Sequence, residues 1–214
     1  MHRYATFLIA ALASLSAGAV DVVALRPDPR PVALVAGLED GPLKRQLAAC
    51  TDDPVRRTSF SLGHRGAPLH YPEHTREAYV AAAAMGAGVI ECDVTFTRDK
   101  QLVCRHAQDD LHTTTDILLT PLAARCAEPF RAAQFDAQGA PLAPAAALCR
   151  TSDITLAEFR TLRGKRDGFD PRARTVEEYV WGGKAALDTL GPSTGTLMSH
   201  ADSIALFRQL GVQM

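Results

Sequence analysis

The sequence predicts an α/β fold. A strand pattern over residues 58–64 is followed by an alanine-rich helix pattern over 75–85 and by a second strand pattern over 88–96. A strand, a helix and a strand in close succession form a βαβ unit, and such crossovers build parallel sheets. With 47% hydrophobic and 22% charged residues among 214, the composition is that of a globular protein and excludes disorder, collagen and coiled coil.

The first 19 residues have the features of a secretory signal peptide. Arg3 gives a basic start, an apolar run too short to cross a bilayer follows, and Ala17-Gly18-Ala19 matches a cleavage site. No second long apolar run follows. We therefore expect an exported protein, periplasmic or secreted, without a transmembrane segment.

Residues 20–57 are predicted to be an N-terminal extension, because prolines interrupt them and leave room for one short helix, over 44–49. The main domain is assigned to residues 58–214. Its first strand alternates apolar and polar residues, and its first helix has Thr75 as N-cap and Gly86 just past its end. A third strand is predicted over 101–106.

After the third strand the periodic pattern lapses, and residues 107–151 are predicted to form an insertion. Helices are expected over 155–162, 175–179 and 201–210, the last ending at Gly211. Residues 212–214 have the pattern of the start of a fourth strand.

The chain has five cysteines, and export would permit disulfides. Cys126 and Cys149 flank a stretch rich in proline and alanine, which a bridge between them could order. Cys92 and Cys104 lie in predicted strands and are expected to be small buried side chains. Cys50 has no evident partner, and the spacings match no structural zinc pattern.

The charge balance argues against one class of partner. The chain has 23 basic and 24 acidic residues and a formal net charge of −1. Proteins that hold nucleic acid by neutralising its phosphates carry a basic field, so we expect no nucleic-acid partner.

Two acids lie on one face of the second strand. Period-two alternation places Glu91 and Asp93 together, opposite an apolar face. Parallel strands are usually buried on both sides, so such acids must be paired, protonated or bound to a cation, and hard oxygen ligands favour Ca²⁺ or Mg²⁺. A half-exposed edge strand with solvated acids is the alternative.

Histidines end the two neighbouring strands. His64 closes the first strand and His106 the third, at the carboxyl ends where α/β folds place their sites. A histidine pair can supply a general base and a general acid near neutral pH, while a divalent ion and Arg65 hold an anionic group. Phosphodiester cleavage has these requirements.

Five ordered blocks resemble the glycerophosphodiester phosphodiesterase family. They are Gly63-His64-Arg65-Gly66-Ala67, Pro72-Glu73-His74-Thr75, the run from Gly86 to Val94, Thr97-Arg98-Asp99 and the run from Leu102 to His106. The resemblance implies a TIM-like (β/α) barrel with a small insertion, corresponding to residues 107–151. It also implies metal-dependent hydrolysis of small-molecule glycerophosphodiesters, such as glycerophosphocholine, to an alcohol and glycerol 3-phosphate.

The resemblance also implies roles for particular residues. His64 and His106 would be the catalytic acid/base pair, Glu91 and Asp93 metal ligands, and Arg65 a phosphate contact. The family commonly has Asn at the position of His74, which stays a candidate substrate-binding residue. It also commonly has Asp and Arg at the positions of Ala107 and His112.

The family's third carboxylate ligand comes from a Glu-x-Lys motif on the next strand, which is expected beyond Met214. The chain is therefore interpreted as a barrel truncated after its third strand, and these residues alone are expected to be inactive.

Two other functions stay open. A phospholipase of the same superfamily would act on intact lipid and would need an apolar rim, for which Ile117-Leu118-Leu119 is the candidate. A non-catalytic barrel domain is the other alternative, and Ala107 gives it some support. The preferred metal, the alcohol specificity, the oligomeric state and the choice between direct and cyclic-phosphate routes are not fixed by the sequence.

Overall fold

A computed structural model describes residues 29–51, 53–182 and 193–214. The predicted signal peptide lies outside the described residues. The N-terminal extension contains helix α1 (Pro29–Ala36) and helix α2 (Pro42–Thr51), so the expectation of one short helix was wrong. The prolines lie in the first turn of each helix, where a backbone N–H has no intrahelical partner to lose, and they therefore start helices here instead of preventing them.

The predicted βαβ unit is present. Strand β1 (Thr58–Gly63) leads through helix α3 (Arg76–Ala84) to strand β2 (Ala87–Ile90), and the two strands pair in parallel. The Thr75 side chain caps α3 by accepting a hydrogen bond from the backbone N–H of Ala78. On the other side of β2, Gln213 forms a parallel bridge with Val89, so the end of the chain runs beside β2 as a strand of the same direction.

The strand predicted over 88–96 is divided in two, because residues 91–93 leave the strand conformation. Strand β3 (Val94–Phe96) then pairs antiparallel with strand β4 (Leu102–Cys104). The third predicted strand therefore forms a hairpin and does not extend the parallel sheet. The link between β3 and β4 is much too short for a parallel crossover, which needs a dozen residues or more. The described residues contain no closed barrel.

Residues 107–151 are structured. They contain helix α4 (Leu111–Thr114), and strands β5 (Glu128–Arg131) and β6 (Gln134–Phe135) pair antiparallel with β8 (Ala146–Leu148) and β7 (Pro141–Ala143), respectively. Short 3₁₀ helices span Ile117–Leu119, Pro121–Arg125 and Thr151–Asp153. A disulfide joins Cys126 to Cys149, which confirms that pairing.

The three helices predicted after residue 151 are present, and two strands that were not predicted lie among them. Helices α5 (Leu156–Phe159) and α6 (Val176–Trp181) both begin with threonine capping boxes. Strands β9 (Arg163–Lys165) and β10 (Thr194–Thr196) pair antiparallel. Helix α7 (His200–Leu210) ends at Gly211, whose φ of 66° is the left-handed conformation that glycine adopts without strain.

Two hydrophobic clusters fill the molecule. The first lies between α3, β2 and α7, where the Tyr79 and Phe207 rings pack edge to face with centroids 4.9 Å apart. The second lies among the elements after residue 110 and includes Phe159 and Tyr179. Ile117 and Leu118 belong to this second cluster and are buried, so they do not supply the apolar rim that the phospholipase alternative would need. A helical turn packs one of its sides against the core. A run of three apolar residues in the sequence does not show that the run forms such a turn.

Cys92 and Cys104 form a second disulfide, which corrects the expectation that they are separate buried side chains. The hairpin brings their Cα atoms to 5.3 Å, within the usual range for a bridge. The prediction placed the two cysteines in neighbouring parallel strands, an arrangement that did not imply this contact. Cys50 is free and exposed.

None of the described helices is long and apolar enough to cross a bilayer.

A buried lysine holds the second cluster's loops together. The Lys165 ammonium donates hydrogen bonds to the carbonyl oxygens of Thr113, Arg166 and Gly168 at 2.6, 2.9 and 2.6 Å. Burial lowers the pKa of Lys165 to about 8. Its three hydrogen bonds give the Lys165 ammonium a structural role.

We expect Lys165→Met to lower the free energy of unfolding by about 3 kcal/mol, because three carbonyls lose a charged donor while the apolar stem is kept. Urea unfolding measures the change. The matched control is Lys44→Met, which removes an exposed i,i+4 ion pair with Asp40 and should cost less than about 0.5 kcal/mol. Equal losses in the two variants would contradict the structural role of Lys165.

Candidate active site

The loop from residue 64 to residue 75 folds back over the end of β1. The His74 N–H donates to the Arg65 carbonyl at 3.0 Å, which closes the loop. Both residues adopt left-handed backbone conformations, with φ of 54° and 55°. Such conformations cost energy in residues other than glycine and occur often at functional sites. Gly66 lies against α3 so closely that a Cβ atom would be within 3.0 Å of Ala78, which favours glycine there.

Glu91 is tied to this loop. Its Oε2 accepts a hydrogen bond from the Arg65 backbone N–H at 3.1 Å and lies 3.6 Å from His64 Nε2. Its own N–H donates to the Gly63 carbonyl, so β1 and the segment after β2 are joined on both sides of the carboxylate. The structure thus brings the predicted residues His64 and Glu91 together.

Two side chains of the 64–75 loop, those of His74 and Arg65, lie against Asp93. Its Oδ2 lies 3.1 Å from His74 Nε2 and 3.8 Å from Arg65 Nε. Its carbonyl accepts the Arg105 N–H at 2.9 Å, which links it to the segment that carries His106. The side chains of Asp93 and Glu91 are 28% and 31% exposed, so both carboxylates remain accessible to a ligand from solution.

His74 is fully buried, and burial together with the nearby Arg105 and Arg65 charges lowers its pKa from 6.5 to about 2. The ring is therefore neutral and carries one N–H. Because a carboxylate only accepts, we assign the proton to Nε2, which donates to Asp93. Nδ1 then accepts from the Tyr79 hydroxyl at 3.0 Å, whose pKa is raised by burial.

Glu73, Tyr79 and Arg105 also shape the site, and the sequence analysis assigned no role to them. Glu73 forms an ion pair with Arg65 at 3.0 Å, and its carbonyl accepts a 2.6 Å hydrogen bond from the buried Arg105 guanidinium. Glu73 and Arg105 both lie in the blocks that carry the family resemblance, which was the available signal. Tyr79 lies on a helix and has the pattern of an ordinary core residue.

The other predicted residues lie around this network. The His64 side chain is exposed, and His106 is exposed at the end of the hairpin, one residue after Arg105. His106 makes a small contribution to the lowered pKa of His74, after burial, Arg105 and Arg65. The site therefore has two accessible imidazoles at its surface and one neutral imidazole beneath it.

Glu91 and Asp93 offer the donor chemistry of a hard cation. Their carboxylate oxygens are the ligands that Ca²⁺ and Mg²⁺ prefer. Within the described ranges, three potential ligand atoms lie within 4.8 Å of one another only at Cys92, Cys104 and His200, and both sulfurs there belong to a disulfide. Glu91 and Asp93 therefore supply ligand types that a hard cation prefers, and among the described residues no group of three ligand atoms includes them.

The sequence profile of the glycerophosphoryl diester phosphodiesterase family matches residues 64–199, which contain every site residue described above. The chain belongs to this family. The family in general depends on divalent cations.

Individual relatives match shorter segments. The chain is 47% identical over 55 residues to "Probable glycerophosphodiester phosphodiesterase 1" of Mycobacterium tuberculosis, which is 26% of this chain and 20% of the relative. It is 35% identical over 88 residues to a glycerophosphodiester phosphodiesterase of Arabidopsis thaliana, covering 39% of this chain and 23% of the relative. The chain thus spans about a fifth of the length of these curated relatives.

A crystal structure of a glycerophosphoryl diester phosphodiesterase from Parabacteroides distasonis aligns with 90% of this chain and 44% of its own chain. The TM-score is 0.39 and the identity 15%.

The neutral, buried His74 makes stability sensitive to acid. A histidine with a lowered pKa stabilises fully above its unfolded value of about 6.5 and loses that contribution as the pH falls, because only the unfolded chain takes up the proton. At pH 5 the loss from this group should reach about 2 kcal/mol.

His74→Asn should remove this part of the pH dependence. We expect the wild-type free energy of unfolding to fall more steeply than that of the variant between about pH 7.5 and pH 5, as measured by urea unfolding. Identical slopes for the two proteins would show that His74 is not held neutral.

Proposed function

We propose that this family member hydrolyses glycerophosphodiesters to an alcohol and glycerol 3-phosphate. The observation that carries the proposal is the convergence of His64, Arg65, Glu91 and Asp93 at the carboxyl end of the β1–α3–β2 unit. The family membership supports the reaction type. The proposal concerns the whole protein, because this chain spans only part of the length of its curated relatives.

In the proposed mechanism, His64 and His106 exchange protons with the substrate. One imidazole takes the proton of the attacking oxygen, and the other gives a proton to the departing alcohol. Both side chains are exposed and are therefore open to a substrate from solution. The same pair serves attack by water or by the glycerol 2-hydroxyl.

Glu91 and Asp93 are proposed to hold a divalent cation, Ca²⁺ or Mg²⁺, which would neutralise the phosphate charge when bound. The Arg65 amide fixes Glu91, and the partly exposed Arg65 guanidinium contacts a phosphate oxygen. We assign His74 a positioning role: it orients Asp93 through Nε2 and does not touch substrate, because its side chain has no exposed surface.

We further propose the TIM-like barrel as the fold of the complete domain. The parallel order of β1, β2 and the segment at Gln213 is the arrangement that successive barrel strands would have. Export directed by residues 1–19 is a further proposal, based on the sequence of those residues alone.

One observation favours hydrolysis of intact lipids as a second candidate function. Val94, Phe96 and Leu102 lie on one face of the hairpin next to Asp93, and their side chains are exposed. Such a face could contact acyl chains. Choline release from sphingomyelin or a lysolipid, compared with release from glycerophosphocholine, separates the two functions.

In the whole protein, we expect His64→Ala and His106→Ala each to lower kcat/KM for glycerophosphocholine by about 10²- to 10⁴-fold, since each removes a proton-transfer group. A coupled assay for glycerol 3-phosphate measures the rate. Added imidazole should restore part of the activity, because both positions are open to solvent.

The control is Arg131→Ala, which removes an exposed i,i+3 ion pair with Glu128 on β5 and should leave the rate unchanged. If either histidine variant kept wild-type activity, the acid/base assignment for that residue would be wrong. Loss without rescue by imidazole in both variants would indicate a structural effect.

A further inference from the structure

The Cys92–Cys104 disulfide lies inside the site. Cys92 stands between the two acids, Glu91 and Asp93, and Cys104 comes two residues before His106. The bridge therefore joins the segment that carries both carboxylates to the segment that carries an imidazole. No other covalent bond connects these two segments across the hairpin.

The β3–β4 hairpin by itself does little to fix the distance between its strand ends beside the site. The β3–β4 ladder has three residue pairs, of which Val94 and Cys104 are the pair nearest the site. Isolated two-stranded hairpins are marginally stable. Past this pair, the disulfide and the Arg105 N–H bond to the Asp93 carbonyl keep the strand ends together.

The bridge is also anchored to the core. Cys104 is fully buried in the first cluster, and its N–H donates to the Met198 carbonyl at 3.0 Å. His200, the first residue of α7, places its Nδ1 3.7 Å from Cys92 Sγ. The two sulfur atoms thus lie beside the first residue of α7, which helps to fix the position of the bridge.

We propose that the Cys92–Cys104 disulfide is a positioning element that holds Asp93 and His106 at a set separation. This inference rests on the proposed function, in which Asp93 binds the cation and His106 transfers a proton. Groups that orient metal ligands typically change metal affinity by 10- to 100-fold when removed.

The test compares two disulfides of the same chain. Cys92→Ala/Cys104→Ala removes the bridge in the site, and Cys126→Ala/Cys149→Ala removes the bridge in the 107–151 segment. Calorimetric titration with Ca²⁺ and Mg²⁺ gives the affinity, and hydrogen exchange of the Arg105 amide reports the strand ends without any ligand. Circular dichroism checks folding.

We expect the site variant to bind the cation at least about tenfold more weakly and to exchange the Arg105 amide at least about tenfold faster than wild type. The control variant should change neither quantity, although its thermal stability should fall. Cys92→Ala alone, which keeps the buried Cys104 sulfur in the core, serves if the double variant does not fold.

Unchanged affinity and exchange in the site variant would overturn the proposal, and so would equal changes in both variants. If the whole protein bound the cation but cleaved no glycerophosphodiester, the proposed function would be refuted and this comparison would stay valid. If the wild type bound no cation, the exchange of the Arg105 amide would still decide whether the bridge holds the strand ends.

Discussion

The 64–75 loop orients both Glu91 and Asp93, the two acids proposed to bind the cation. The loop gives Glu91 a backbone N–H from Arg65 and gives Asp93 the N–H of a buried, neutral imidazole, His74. The Arg65 guanidinium adds positive charge between Asp93 and Glu73. These contacts fix the orientation of both carboxylates and leave part of each exposed to a ligand from solution.

The loop itself depends on the packing beneath it. Thr75 ends the loop and starts α3, and the second cluster's β9–β10 sheet approaches Thr75 so closely that a Cβ atom on Gly195 would lie within 2.8 Å of its side chain. The strained backbone at Arg65 and His74 is therefore held between the first cluster and the sheet of the second.

Local sequence signals predicted the elements with the clearest chemistry. Helix α3 was predicted from its cap and alanine-rich run, and the parallel pairing of β1 and β2 followed from the crossover. The pattern over 88–96 could not show that the strand breaks at 91–93, because period-two alternation continues through the break. The hairpin, and with it the Cys92–Cys104 bridge, is a tertiary contact that alternation does not encode. The burial of His74 was hidden for the same reason, since a polar residue two positions after Pro72 has the pattern of a surface loop.

The most direct test of a shared cation site is anomalous diffraction from crystals of the protein soaked in Mn²⁺, a divalent ion that carboxylates also bind. A peak within bonding distance of both the Glu91 and the Asp93 carboxylates, on the side facing His64, is the expected result. A peak located elsewhere in the molecule, or an ion bound by only one of the two acids, would contradict the account.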